Sequence, residues 1–538
     1  MITRSLQGTK RLWPWVAAVA SGALLTLAFA PFNQGWIIWI ALTPLICAVW
    51  LAARPRPFAL GYVTGLTFFT STFHWLAELR HVVSAPALLG LPPLLGAYLA
   101  LYIAFWAWAI HALAPPRVLG AASSLRHLGI GVLAAALWVA LEWTRGWFLT
   151  GFSWNGLGVA LHRNLPMIQV AEISGVLSLT WLVAFANVMA VVIVRRIALE
   201  LGPDFLRRVR WEFSGTMLII ALVFAFGARK LLHPELGQSI PLKVAAIQPN
   251  VPQDVKFDES SEDMILQKLK HLTGLGAVLQ PDLILWQEAP AVRGMDADDL
   301  NRRAVLDLAE GGNFDLLIGS LDYDVDEHEP DKIDVYNAAF LLTERGARRQ
   351  IYRKSHLVPF GEYMPFRKIL PSAISNLVAS DLQPGSKPAL LQLSRSSIKV
   401  SPLICFEDSV GELTRRSCVA GAQLLVNLTN DGWFRHSAGA EQHLANAIFR
   451  TVENRRPLVR CANTGITGLV DALGREQRWQ AAFAEGVGSG VVNVPTTTSL
   501  TFYARYGDWF AYLCVIASLS WLAVRIYLRR RQTLPAEV

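Results

Sequence analysis

Four residues of this sequence end apolar runs or follow them closely, and could do chemistry if brought together. Cys405 lies in VSPLICFEDSV, residues 400–410. Val400, Leu403 and Ile404 read as a short buried strand. Cys405-Phe406-Glu407-Asp408 breaks it with two acids suited to the first turn of a helix. Backbone N–H groups at such an elbow favour a thiolate, or an oxyanion formed beside it. Taken alone, the same pattern also describes a buried structural cysteine. Glu288 closes DLILWQE (282–288), at the carboxyl edge where open α/β sheets bind ligands. It is either a general base with a pKa raised by apolar neighbours such as Trp286, or a solvated strand-end acid. Lys354, in QIYRKSHLVPFGEYMP (350–365), follows another strand-like run. Beside Cys405 it would lower the sulfur's pKa and hold an oxyanion; otherwise it is surface. Glu362, in the same loop, could anchor Lys354 or a substrate amine, or be a loop charge.

The elements that must position these residues alternate in type. LKVAAIQP (242–249) reads as a buried strand and Ser261–Leu279 as an amphipathic helix. DLILWQE, a helix Asp296–Glu310 and the strand FDLLIGS (314–320) follow, then a strand pair at Val335–Leu342 and Gln350–Lys354. Beyond Cys405 come a helix Val410–Ala420, the strand AQLLVNLTN (422–430), a helix Glu441–Asn454 and the strand PLVRCANTG (457–465). Strands separated by amphipathic helices imply a layered α/β domain. Cys405, Cys418 and Cys461 all fall within it. In an oxidising compartment their odd number leaves a thiol unpaired, unless it bonds another chain.

Composition places the remainder in lipid. Of 538 residues, 53% are hydrophobic, 17% are charged and 19 are tryptophan. A bilayer is crossed by about 20 apolar residues. The candidate spans are Trp13–Ala30, Trp36–Leu51, Phe58–Leu76, Leu88–Leu113, Leu128–Trp147, Ile168–Val194 and Phe213–Phe226, the last short unless it reaches Leu232. An eighth, Tyr506–Val524, closes the chain. With a cytoplasmic N-terminus, sixteen lysines and arginines in the short connections lie inside and five lie outside. The expected organisation is a transmembrane bundle over 1–232, an extracytoplasmic α/β domain over 233–505, and a final helix with a cytoplasmic tail over 506–538. Arg4, Lys10 and Arg11 ahead of Ala28-Phe29-Ala30 look like a cleavable signal, but Pro31 disfavours cleavage. The net charge of +8 is scattered between apolar segments, which argues against a nucleic-acid partner.

The order of the chemical residues is more specific than any one of them. An acid after a strand, a lysine before HLVPFGEY and a cysteine in CFED resemble the Glu-Lys-Cys triad of the nitrilase superfamily. Joined to eight spans, the chain resembles the apolipoprotein N-acyltransferases, the last enzymes of bacterial lipoprotein maturation. The likeness runs through AFAPF (28–32), EWTRGWFLTGFSWNGLG (142–158), AAIQPNVPQDVKFD (245–258), KSHLVPFGEYMP (354–365), NLTNDGWF (427–434) and RRPLVRCANTGITG (455–468). It implies an α-β-β-α sandwich beside a membrane bundle of about eight helices. It makes Cys405 the nucleophile, Glu288 the general base and Lys354 the oxyanion-stabilising residue. Glu362, Glu407, Phe406, Phe257 and Tyr363 support the site or bind substrate. Gln287, Phe406 and Phe257 stand where many members have proline, tyrosine and tryptophan, and Arg435-His436 replaces Gly-Asp. These departures bear on rate or substrate preference more than on reaction type.

The implied reaction is ping-pong. A phospholipid donates its acyl chain to Cys405 as a thioester, and the N-terminal amine of a diacylglyceryl-cysteine lipoprotein accepts it. No metal or organic cofactor is expected: the sequence has no zinc-type ligand spacing and no glycine-rich phosphate loop. The enzyme is expected to be a monomer of the bacterial inner membrane with its catalytic domain on the periplasmic side. Tyr363, Met364, Phe366, Ile369, Leu370, Ile374 and Leu377 form an apolar loop that either packs on the domain or dips into the bilayer as a lid. Glu142 and Arg145 could satisfy each other on one helix or hold lipid headgroups, with Glu172 and His74 weaker cases of the same kind. Trp143, Trp147 and Trp154 fit an interfacial belt. A membrane-tethered nitrilase-type amidase is the alternative enzyme. Seven spans ahead of the domain are more than tethering an amidase requires, and a transporter with an accessory binding domain would need no Cys405, while the spans show few paired charges and no obvious duplicated halves.

Overall fold

The computed structural model describes residues 2–533, apart from 83–85, 121, 200–204, 257, 291–299, 326–332, 344–349, 370–371, 373–380 and 387–388. It divides into two compact units. One comprises Met1–Ala77, Leu89–His233 and Asp508–Val538, and the other Glu78–Leu88 and Pro234–Gly507.

The second unit is built on twelve strands: β1 Ser239–Gln248, β2 Leu283–Trp286, β3 Asp315–Val325, β4 Ile333–Leu342, β5 Gln350–Arg353, β6 Leu391–Gln392, β7 Lys399–Ile404, β8 Leu424–Thr429, β9 Leu458–Ala462, β10 Thr467–Val470, β11 Glu476–Gln480 and β12 Gly486–Pro495. They form two six-stranded sheets, ordered β12-β1-β2-β3-β4-β5 and β11-β10-β9-β8-β7-β6. Within them β1, β2 and β3 run parallel, as do β7, β8 and β9. Alternation along β1 explains the layering. Val244 and Ala246 face the core between the sheets, against Val426, Leu428 and Val459. Ala245 and Ile247 face the other way, onto Ile265, Leu269 and Leu272 of the helix Glu262–Val278. A strand buried on both faces is nearly all apolar, as LKVAAIQ is. The result is the expected α-β-β-α sandwich.

β6, β10, β11 and β12 were not expected from the sequence. β12 carries three glycines (GVGSGVVNVP) and β11 is polar (EQRWQ), because one tolerates close neighbours and the other is a sheet edge.

In the first unit, five helices among the described residues are long and apolar enough to cross a membrane: Leu88–Leu113, Ser124–Arg145, Val176–Ala198, Arg210–Leu232 and Trp509–Leu528. The first three expected spans form shorter elements. Leu12–Leu27 is the apolar part of the first, Trp36–Leu51 divides into a 3-10 turn and the helix Thr43–Leu51, and Phe58–Leu76 becomes the helix Pro57–Thr72. That last helix packs on Leu91–Leu113 through small residues. A Cβ on Gly61 or Gly65 would lie 2.6 Å from atoms of Ala107 or Ala100. Glu142 and Arg145 are each held by other groups. Glu142 accepts from the Trp138 indole, Leu157 N–H and the Thr180 hydroxyl, while Arg145 donates to the carbonyls of Ser153 and Trp154. Glu172 pairs with Lys230 at 3.2 Å. Trp147 is exposed as a belt residue should be, whereas Trp154 is buried against Trp75 and Phe152, so it belongs to the core.

Candidate active site

Three strands of the sandwich end at one place. Since β4 is antiparallel to both β3 and β5, β5 runs in the same direction as β2, and Glu288 and Lys354 leave the same edge of one sheet. Cys405 leaves β7 of the other. Its φ of 51° lies in the left-handed region, which costs a residue with a Cβ about 1–3 kcal/mol and concentrates at working sites. The Cys405 carbonyl is held by Asn427 Nδ2 at 2.9 Å and by His443 Nε2 at 3.2 Å.

Glu288 stands two residues past β2, in a turn whose next residue, Ala289, has φ 38°. Gly319 on β3 makes room for that turn: a Cβ there would lie 2.5 Å from the Gln287 carbonyl and 2.8 Å from Glu288 Cα. The Trp286 ring belongs to the opposite layer, where its indole donates to Thr273 at 2.9 Å, so it forms no wall for Glu288. Glu288 Oε1 accepts from Asn337 Nδ2 at 2.8 Å and lies 3.7 Å from Lys354 Nζ. Among the described residues, its buried Oε2 has no hydrogen-bond partner.

Lys354 is 1% exposed, and its Nζ donates to Glu362 Oε1 at 2.8 Å. Burial alone would strip its proton, but Glu362 and then Glu288 outweigh that, so its pKa is raised and it stays an ammonium. Asn337 bridges the two carboxylates, since its Nδ2 also donates to Glu362 Oε1 at 2.9 Å. Glu362 Oε2 is fixed by the Val358 N–H at 2.8 Å.

For Cys405 the sequence-based expectation of a lowered pKa is corrected. Burial pushes the thiol well up, Glu288 pushes it further, and Lys354 only partly offsets them. The resting group is a thiol, so its proton must leave as the sulfur attacks.

Glu407 ties the two sheets together. It is fully buried, and Oε1 accepts from Ser355 N at 2.8 Å, His356 N at 3.0 Å and the Tyr352 hydroxyl at 2.8 Å. Oε2 accepts from Ile404 N at 2.8 Å and the same hydroxyl at 2.9 Å. The residues after Lys354 are thereby clamped to the residue before Cys405. Burial raises the Glu407 pKa, opposed by Lys354 and the N–H donors. Phe406 stacks on His356, with ring centroids 5.9 Å apart. Tyr363 is half-buried in the turn it forms with Pro359. Phe257 lies outside the described residues, as do Leu370, Ile374 and Leu377 of the apolar loop. Of the rest of that loop, Met364 is buried, while Phe366 and Ile369 are 55% and 80% exposed.

Sequence reasoning missed several residues here. Asn337 could have been suspected as the one amide in the apolar run VYNAAFLL. Behind the elbow, His443 lies 2.7 Å from Asp408 and 3.1 Å from Asp431, and Arg460 pairs with both acids. Lys256 also reaches the site, its Nζ 3.0 Å from the Glu288 carbonyl. It falls in the stretch 245–258 that carries the family likeness, but its residue type and neighbours gave it no role there.

A two-sheet sandwich of this kind, carried in one chain with apolar helices, defines a membrane-bound protein of the nitrilase type. Residues 243–500 match the carbon-nitrogen hydrolase family, and residues 21–189 match the apolipoprotein N-acyltransferase N-terminal domain. The chain is 36% identical over 515 residues to an apolipoprotein N-acyltransferase of Geobacter metallireducens, covering 93% of each. It is 32% identical to one of Bradyrhizobium diazoefficiens, covering 96% of each. An amidase from Nesterenkonia sp. aligns with a TM-score of 0.37 at 16% identity, over 51% of this chain and 95% of that one. The chain belongs to the apolipoprotein N-acyltransferase family: it is an acyltransferase of lipoprotein biosynthesis and a bacterial membrane protein.

Proposed function

We propose that Cys405, Glu288 and Lys354 carry acyl transfer from a phospholipid to the N-terminal amine of a diacylglyceryl-cysteine lipoprotein. The observation that supports this best is the state of Glu288. One carboxylate oxygen is bonded by Asn337 and lies 3.7 Å from Lys354, the other has no partner among the described residues, and the carboxylate's charge acts on the thiol. As Cys405 Sγ attacks the ester carbonyl, its proton passes to Glu288 Oε2. The carbonyl oxygen becomes an oxyanion, held by the Lys354 ammonium and a backbone N–H of the Cys405 elbow. Collapse expels the lysophospholipid oxygen, which takes the proton back from Glu288, and leaves a thioester. The acceptor amine then attacks, Glu288 accepts its proton, and the amide leaves with the thiol restored. Glu362 and Glu407 keep Lys354 charged and in place, and Phe406 and Tyr363 wall the site.

In this reading residues 1–232 and 506–538 form the membrane bundle, and 233–505 form the catalytic domain on the periplasmic face. Exposed Phe366 and Ile369 enter the bilayer as part of a lid, and a single chain carries the whole reaction. The test is intact-mass measurement of the full chain after incubation with phospholipid. An acyl adduct on the parent that Cys405→Ala lacks supports the reading; its absence from both sinks it. Release of free fatty acid in place of lipopeptide acylation would identify a hydrolase instead.

A further inference from the structure

We propose that Lys256 is a further working residue of this site, a positioning residue that pins the Glu288 turn and supplies the positive charge facing Cys405. The inference rests on the triad reading above.

Lys256 ends the short helix Gln253–Lys256 and is 5% exposed. Among the described residues the one hydrogen bond of its ammonium goes to the Glu288 main-chain oxygen, at 3.0 Å. A long cationic side chain buried against one neutral carbonyl is an expensive arrangement, retained only where negative charge lies close by. The Glu288 carboxylate provides it at rest, and the Cys405 sulfur provides it once its proton has left; both act electrostatically on this ammonium. Of the acids on its own segment, Asp254 is exposed and Asp258 is engaged with Ser260.

Charge placement gives Lys256 a role that Lys354 cannot fill alone. Lys354 already lies 2.8 Å from Glu362 and 3.7 Å from Glu288. When the thiol proton moves to Glu288, negative charge shifts to the sulfur, and Lys256 is the ammonium not committed to a carboxylate. The carbonyl it holds belongs to the turn with Ala289 at φ 38°, so releasing it frees the backbone that aims the unpartnered Oε2. Burial lowers the Lys256 pKa to about 8, with Glu288 and then Cys405 opposing the fall. Its charge is therefore present below that pH and lost above it.

The experiment follows acyl-adduct formation by intact mass on the full chain in mixed micelles of phosphatidylethanolamine, across the range from about two pH units below the Lys256 pKa to about two above. Thermal unfolding is measured in parallel. The parent rate should fall as pH rises through the Lys256 titration. Lys256→Arg keeps its charge and should hold its rate through that range. Lys256→Met should be slower by about tenfold or more below the titration, since a nearby charge shifts a pKa by at least about one unit, and it should lose the decline. An arginine variant that declines with the parent overturns the proposal, as does a methionine variant with the parent's rate and profile. Should Lys256→Met fail to fold, the arginine profile decides alone. Cys405→Ala and Glu288→Gln run alongside: an adduct surviving in either would indict the triad reading, whereas their loss with parent-like Lys256 variants would indict this inference only.

Discussion

Replacing Glu407 by glutamine changes one oxygen to NH2 and leaves shape untouched, so it isolates the clamp between the two sheets. At the Oε1 position the amide nitrogen would face the N–H groups of both Ser355 and His356. It will instead take the Oε2 position, where it faces only the Ile404 N–H and a tyrosine hydroxyl able to turn and accept. One buried N–H is then left without an acceptor, which costs roughly 1–3 kcal/mol, and the bonds at the other oxygen lose their charge assistance. We expect Glu407→Gln to be destabilised by about 3 kcal/mol. The segment after Lys354 will also loosen relative to Cys405. Misplacement of a catalytic group by about 1 Å costs on the order of a hundredfold in rate. The initial rate of adduct formation on Cys405 should therefore fall by about 10- to 100-fold, with the adduct still confined to that residue. Tyr352→Phe removes a single donor from the same carboxylate and should cost about 1 kcal/mol, with a smaller rate effect. A glutamine variant that matches the parent in both rate and unfolding midpoint would show that the clamp does not position the site.

Lys354→Met removes the ammonium between Glu288 and Glu362; adduct formation should drop by about 10²–10³, and stability by about 3–5 kcal/mol, because buried carboxylates lose their partner. Denaturant titration separates the two effects, and a stable variant with unimpaired acylation would refute the assigned role. Phe366→Asp with Ile369→Asp should slow acylation from phospholipid vesicles and spare acylation from a short-chain donor dissolved in detergent; equal rates on vesicles would rule out a lid. His443 supplies a pH prediction. Burial opposes its charge but Asp408 outweighs that, raising its pKa to about 9. The stability it contributes is complete below the ordinary histidine pKa and is lost as pH rises through about 9, at roughly 1.4 kcal/mol per unit. Denaturant unfolding over that range should show the loss in the parent, and His443→Gln should flatten it.

The sequence by itself determined eight of the twelve strands, the longer membrane helices and the reaction type. Apolar runs, their lengths and the spread of basic residues marked the membrane helices. A nearly unbroken apolar run marked β1 as a buried strand. Cys405, Glu288 and Lys354 could be singled out because each follows such a run. What lay outside its reach was whatever depends on contacts between distant segments. Glu407 reads as a helix-turn acid, yet it works by accepting N–H groups from residues about fifty positions away. The thiol pKa, expected to be lowered by Lys354, is raised because burial is a property of the assembled sandwich and outweighs one neighbouring charge. Lys256 looks like surface until the turn after β2 closes over it. Local pattern fixes which residues can form a strand or an elbow, since that choice is made over a few neighbouring side chains. Which proton stays and which charge is shielded is decided only when two sheets pack and exclude water.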